Sequence, residues 1–147
     1  MRGFEIVKEY LDKDIEIPTR KTKLSAGYDL ASAVDLTLEP NEAQLVPTGV
    51  KAYFAEDEVL KLYIRSSMAV KCGLTLMNNV GIIDADYYNN EKNEGHIFVP
   101  IKNLSDKIIF IKKGDRIAQG IFQKYLLADN DNFETGANRN GGFGSTN

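Results

Sequence analysis

"VLKLYIRSSMAVK" (59–71) carries the first decision about the fold. In its first half Leu60, Leu62 and Ile64 fall on one face at period two, with Lys61 and Tyr63 between them, the pattern of a half-buried strand. Its second half, "SSMAVK" (66–71), is the one stretch that reads as helical, and it is little more than a turn long. Outward from here the same strand signature recurs in short runs. "FEIVKEY" (4–10) and "VDLTL" (34–38) precede it, the latter leading into the turn "EPNE" (39–42), and "QLVPTGVKAYF" (44–54) reads as one longer strand. "GLTLM" (73–77), "HIFVPI" (96–101) and "KIIFI" (107–111) follow, then the turn "KKGD" (112–115) and "RIAQGIFQKYLL" (116–127). Many short strands with turn chemistry between them predict an all-β sandwich or barrel. Few helices are available to cover the sheet faces, so a homo-oligomer is expected.

The 147 residues suit one domain able to bury a core without staples. Composition shifts only near Asp129, where "DNDNFETGANRNGGFGSTN" turns rich in Asn, Gly and Asp. The expected division is therefore a β domain over 1–128 and a flexible C-terminal arm over 129–147. A net charge of −3 argues against a general nucleic-acid or membrane surface, so a polyanionic ligand needs locally placed donors. The single cysteine, Cys72, cannot form an internal disulfide and reads as a small buried residue. With no membrane-spanning run and no signal-peptide pattern at "MRGFEIVKEY", a reducing cytoplasm is the expected setting.

Several stretches could carry chemistry. Arg65 offers a rigid fork of donors where the strand ends, and Ser66 and Ser67 add hydroxyls and backbone N–H groups at a helix start. That combination suits a phosphate, although a helix cap beside a surface ion pair reads equally well. In "NNVGIIDADYYNNEKNEGH" (78–96) Asp84 comes directly off an apolar strand, and Asp86 shares its face. Carboxylates there can position water or a cation, while in isolation "DADY" reads as a turn. Asp29 in "SAGYDLAS" reads as a turn or backbone cap, and Gln119 as a solvent-facing strand residue. One His and one Cys make a zinc site improbable, and no G-x-x-x-x-G-K-[ST] loop is present. The terminal "NRNGGFGSTN" (138–147) sets one aromatic among glycines, either a loose chain end or a lid ordered by a ligand.

Five segments taken together resemble the trimeric dUTPases: "AGYDLASA" (26–33), "RSSMA" (65–69), "NNVGIIDADY" (78–87), "GDRIAQGIF" (114–122) and "GGFGST" (141–146). They occur in the family's order across nearly the whole chain. The resemblance implies a β jelly roll assembled as a homotrimer that hydrolyses dUTP to dUMP and pyrophosphate, with Mg2+ on the triphosphate. It implies that Asp84 activates the attacking water and that Asp29 holds magnesium through water. Arg65, Ser66, Ser67 and Gln119 match the region of phosphate donors. Uracil would be read by Asn78 and by extended hairpin backbone around Gly81 and Ile83, and Tyr87 would pack on deoxyribose and exclude a 2′-hydroxyl. Within the arm, Phe143 would stack on uracil while Gly144, Ser145 and Thr146 close on the phosphates, with Arg139 directed to the γ-phosphate. Each site would draw phosphate segments, hairpin and arm from three different chains.

Two features depart from the family pattern. "NNEKNE" (89–94) intervenes between the tyrosine segment and Gly95, lengthening a loop through which a protein partner could be met, and Arg139 sits one residue closer to the aromatic than is usual. Two other functions fit parts of the chain. A dCTP deaminase shares the Arg-Ser-Ser-x-Ala segment but would be expected to lack "DADY" and "GGFGST". A nucleotide-sensing regulator would use dUTP as a switch.

Overall fold

The structure, a computed structural model, describes residues 1–131, 139 and 141–144. Eleven strands run in chain order as β1 (Gly3–Ile6), β2 (Tyr28–Ala31), β3 (Leu36–Leu38), β4 (Ala43–Pro47), β5 (Val50–Tyr53), β6 (Glu58–Ile64), β7 (Leu74–Leu76), β8 (Gly81–Ile83), β9 (Phe98–Asn103), β10 (Ile109–Ile111) and β11 (Arg116–Lys124). One α-helix, α1 (Ser66–Cys72), lies between β6 and β7. The fold is all-β with one short helix among the described residues, as expected, and its sheets are open.

A four-stranded antiparallel sheet, β2-β11-β6-β8, and a three-stranded one, β4-β9-β7, are joined by the pairs β1-β5 and β10-β3, which add Val50, Ala52, Leu38 and Ile111 to the same core. Alternation drives the packing. Leu60 and Leu62 of β6, Leu30 of β2 and Ile117 of β11 meet Leu74 and Leu76 of β7 and Val99 and Ile101 of β9 in one buried core. Burying each such side chain contributes roughly 1.5–3 kcal/mol relative to exposure. Ile64, at the end of the β6 stripe, is only half-buried because the strand there gives way to α1.

Two runs break where the backbone turns. Residues 44–54 form two strands in different sheets, not one, because Gly49 adopts a φ of 75° that turns the chain between β4 and β5. Residues 4–10 leave β1 for a 3-10 turn at Lys8–Tyr10. Cys72 is half-buried at the end of α1 and not fully enclosed. Among the described residues no helix is long and apolar enough to cross a membrane.

Candidate active site

The residues singled out above fall into two groups. The first gathers where β6 ends. Arg65 is extended (φ −75°, ψ 142°) and stands at the N-cap of α1 without a side-chain capping hydrogen bond. Ser66 is exposed and Ser67 half-buried. Arg65 turns back to donate from Nη1 to the Arg116 carbonyl at 3.1 Å, and its Nε lies 3.2 Å from Asp29 Oδ1. Arg116 Nη1 approaches Asp29 Oδ2 at 3.5 Å.

Asp29 is therefore not a turn residue. It lies within β2, opposite Gln119 of β11, with its side chain only 10% exposed between two guanidinium groups. The Tyr28–Ala31 stretch is a ladder strand, and the turn reading failed because the pairing strand lies some ninety residues away in sequence. Gln119 is half-buried instead of solvent-facing, since its side chain lies over Gly27, where a Cβ would overlap the amide. Asp29 Oδ2 is buried and lacks a hydrogen-bond partner. A carboxylate oxygen with spare acceptor capacity suits a water of a hydrated cation. No cluster of three His, Cys, Asp or Glu able to hold a bare metal occurs among the described residues. These residues fit a magnesium ion that keeps its waters, but they do not form a protein cage for one.

The second group surrounds a cavity of about 300 Å³ lined by Asn78, Gly81, Ile83, Asp84, Tyr87 and Phe143, with Arg139 at its side. The segment 77–80 is not itself paired in a ladder. It carries the chain from β7 in one sheet to β8 in the other. Asn79 turns it at a φ of 61°, and Asn78 is exposed. β8 is an edge strand, so one row of its N–H and C=O groups is free of ladder partners among the described residues. Gly81 permits a close approach, since a Cβ there would stand 3.0 Å from Leu62 Cβ. After β8 the chain makes a 3-10 turn at Ala85–Tyr87, with Asp84 in the capping position. "DADY" is thus a turn, and it still presents both carboxylates together. Arg139 donates from Nη2 to Asp84 Oδ2 and from Nε to Asp86 Oδ1, each at 2.6 Å.

Tyr87 is buried, and its hydroxyl donates to the His96 carbonyl at 2.6 Å while accepting from Asn93 Nδ2 at 2.9 Å. Burial raises its phenol above the usual range, partly countered by the Asn93 hydrogen bond and the Arg139 charge. Gly142 lies against the ring edge, where a Cβ would come within 2.8 Å of Tyr87 Cε2. Phe143 remains 66% exposed at the cavity mouth, with a φ of 51°, followed by Gly144 at 91°. Ser145 and Thr146 lie outside the described residues. His96 is buried, its Nε2 accepting from the Gly49 N–H at 2.8 Å, which gives it a packing role.

The two groups do not meet within one chain. From Asp29 to Asp84 the ladder crosses three strand spacings, from β2 to β8, and the β6 partner of Gln119 is Tyr63 whereas that of Ile83 is Leu60. Strand geometry therefore separates them by on the order of 15–20 Å. Arg139 and Gly142, by contrast, contact the cavity of their own chain. Sequence reasoning did not single out Arg116 as a partner of Asp29, or Asn93 as a partner of Tyr87. Both contacts bridge strand or loop positions that no local pattern connects.

Comparison with known proteins sets this geometry in context. A family model described as dUTPase matches residues 13–147. The deoxyuridine 5'-triphosphate nucleotidohydrolase of Lactococcus lactis is 49% identical, over 99% of this chain and 97% of its own length. The crystal structure of dUTPase from Streptococcus mutans superposes with a TM-score of 0.82 at 48% identity, covering 86% of this chain and 98% of that one. A variant of the Staphylococcus bacteriophage 80alpha dUTPase with dUpNHpp superposes at 0.73 with 26% identity, covering 99% and 97%. A family match over nearly the full length and close relatives spanning both chains agree with the five ordered segments: this chain belongs to the dUTPase family.

Proposed function

We infer that this chain is a dUTP diphosphatase, which hydrolyses dUTP to dUMP and pyrophosphate. The observation that carries this reading is the cavity that brings Asp84, Tyr87, the free edge of β8 and the Phe143 ring to one place. Uracil presents acceptor, donor and acceptor along one edge, complementary to strand backbone assisted by the Asn78 amide. A site that pairs those groups rejects cytosine by leaving polar atoms unmatched, and the close β8–β6 packing at Gly81 disfavours a 5-methyl group. Tyr87 packs on deoxyribose.

Asp84 accepts a proton from a water as its oxygen attacks the α-phosphorus. The new P–O bond replaces the bond to the pyrophosphate oxygen, which leaves with its electron pair. For this to happen Arg139 must release Asp84, and the γ-phosphate is a stronger anionic partner in the same neighbourhood. Phe143 then stacks on the base while residues 129–147 act as a closing arm on the 1–128 domain, and Gly144, Ser145 and Thr146 reach the phosphates. Closure excludes bulk water and fixes the triphosphate. Arg65, Ser66, Ser67 and Gln119 donate to the phosphate oxygens. Asp29 would hold magnesium through water, and bound magnesium supplies charge neutralisation on the triphosphate.

The separation of the phosphate-binding group from Asp84 supports a homotrimer in which sites form between copies. Exposed Leu45, Met77 and Phe110 offer apolar surface for such contacts. The lone Cys72 supports a reducing, cytoplasmic setting. A protein partner at 89–94 would meet the exposed side chains of Asn89, Glu91 and Lys92.

Pyrophosphate release, assayed with magnesium across the deoxy- and ribonucleoside triphosphates, tests the reading. dUTP alone should turn over efficiently. Ammonia from dCTP would point to a deaminase, and dUTP binding without turnover to a sensor.

A further inference from the structure

The insertion at 89–94 packs inward. Lys51 of β5, 7% exposed, donates to Asn89 Oδ1 at 2.6 Å and pairs with Glu94 at 2.7 Å, while Glu94 also accepts from the Lys8 N–H. The loop closes on itself through Asn89 N–H to the Glu94 carbonyl and Glu94 N–H to the Asn90 carbonyl, each at 3.0 Å. Left-handed φ values at Asn89, Glu94 and Gly95 make this compact path possible. Two side chains of the clamped loop then reach Tyr87. Asn90, buried to 7% exposure, donates from Nδ2 to the Tyr87 carbonyl at 2.8 Å. Asn93 donates from Nδ2 to the Tyr87 hydroxyl at 2.9 Å.

We propose that Asn93 is a positioning residue for substrate choice: by holding the Tyr87 hydroxyl against the His96 carbonyl, it keeps the ring where a ribose 2′-hydroxyl has no room. This rests on the reading of Tyr87 as the deoxyribose contact. The hydroxyl has one proton, given to His96, and accepts one from Asn93, so both of its bonds are directional and the ring cannot slide along the sugar. The orientation of the Asn93 amide is fixed independently, because its Oδ1 accepts from the Gly95 N–H at 3.0 Å and from Asn90 Nδ2 at 2.7 Å. The insertion thus serves the active site from behind, without touching the nucleotide.

Asn93→Asp isolates the claim. It keeps both Oδ1 contacts that shape the loop and replaces the donor to Tyr87 with a carboxylate acceptor. The phenol then faces two acceptors with one proton. Loss of one positioning hydrogen bond is worth about 1.4 kcal/mol, so the dUTP-to-UTP ratio of kcat/KM should fall about tenfold. The fall should come largely from improved use of UTP. Tyr87→Phe should lower the ratio at least as much, and the double variant should be no worse than Tyr87→Phe alone, because Tyr87→Phe already removes the Asn93 contact.

A ratio within twofold of wild type in Asn93→Asp overturns the proposal, as does an equal fall in both substrates or additive effects in the double variant. If Asn93→Asp does not fold, Tyr87→Phe decides: unchanged discrimination there also overturns it. Wild-type protein that hydrolyses dUTP and UTP equally would instead remove the assignment of Tyr87 to the sugar.

Discussion

The two halves of the candidate site hold their carboxylates in opposite ways. Asp29 is fixed within the β2–β11 ladder between Arg65 and Arg116, 10% exposed, on strands that also build the core. Asp84 and Asp86 stand on a turn beyond an edge strand, 52% and 58% exposed, and share a single cation from the C-terminal arm. The first half is preorganised by folding, so its donors lose little freedom when phosphate arrives. On the proposed reading, the second is completed only when residues 129–147 close over it. Binding and chemistry should therefore be separable by mutation.

The largest effect is expected at the exposed carboxylate. Asp84→Asn is nearly isosteric but far less basic, so hydrolysis should fall about a thousandfold, within the range for loss of a general base. Binding of dUTP, measured by calorimetry, should survive because the preorganised half is untouched. Turnover within severalfold of wild type would remove Asp84 from its role.

Next comes the question of which chain supplies which half. Asp84→Asn and a chain truncated after Ala137 should each be inactive alone. On the proposed homotrimer, the two unfolded and refolded together should form mixed trimers in which a competent site takes its β8–Asp84 segment from a truncated chain and its arm from an Asp84→Asn chain. Random mixing satisfies both conditions in about a quarter of sites, and activity should return to that fraction. In the single chain Arg139 lies on its own Asp84. If that contact is also the catalytic pairing of arm and hairpin, mixing rescues nothing, and the three-chain site is wrong.

A smaller effect tests the arm alone. Phe143 is mostly exposed, so Phe143→Ala should shift the unfolding free energy by less than about 0.5 kcal/mol without ligand. Stacking on a base is worth about 1–3 kcal/mol, so turnover at limiting dUTP should drop about tenfold. A large loss of stability in the free protein would show an arm that is docked as part of the fold.

The difference between the halves also explains what could be read in the sequence. The β6 stripe of Leu60 and Leu62, the helix at Ser66 and the turn at Asp84 are local patterns, and all three stand in the structure. Asp29 was misread because its environment is set by Gln119 and Arg116, distant in sequence and adjacent only after the ladder forms. The break at Gly49 was signalled locally by Pro47 and Gly49, but the β-branched residues on both sides masked the change of sheet, which only the pairing partners of β4 and β5 decide. The inward packing of 89–94 was hidden for another reason. Its Asn and Glu side chains look solvated until the buried Lys51 gives them a partner.

The smallest effect uses His96 as a pH probe of the nucleoside half. Burial holds its imidazole below the usual value, with Glu9 and Glu94 acting weakly in the opposite sense. Its Nε2 must stay unprotonated to accept from the Gly49 N–H, and its carbonyl receives the Tyr87 hydroxyl. The unfolded chain takes up a proton near pH ~6.5, before the folded one does. Between those two values the unfolded state binds more protons, so stability is fully present above the unfolded pKa and is lost as pH falls toward the folded one. One such group changes stability by at most about 1.4 kcal/mol per pH unit. From pH 7.5 to 5.5 the melting temperature should drop by about 2–4 °C for a chain of this size. The carboxylates held low by their partners, such as Glu94, titrate only in stronger acid and leave this window clear. In His96→Gln, whose amide oxygen can still accept from Gly49, the slope should vanish. A slope that persists in that variant would assign the acid sensitivity to another part of the molecule, and the buried imidazole would be irrelevant to it.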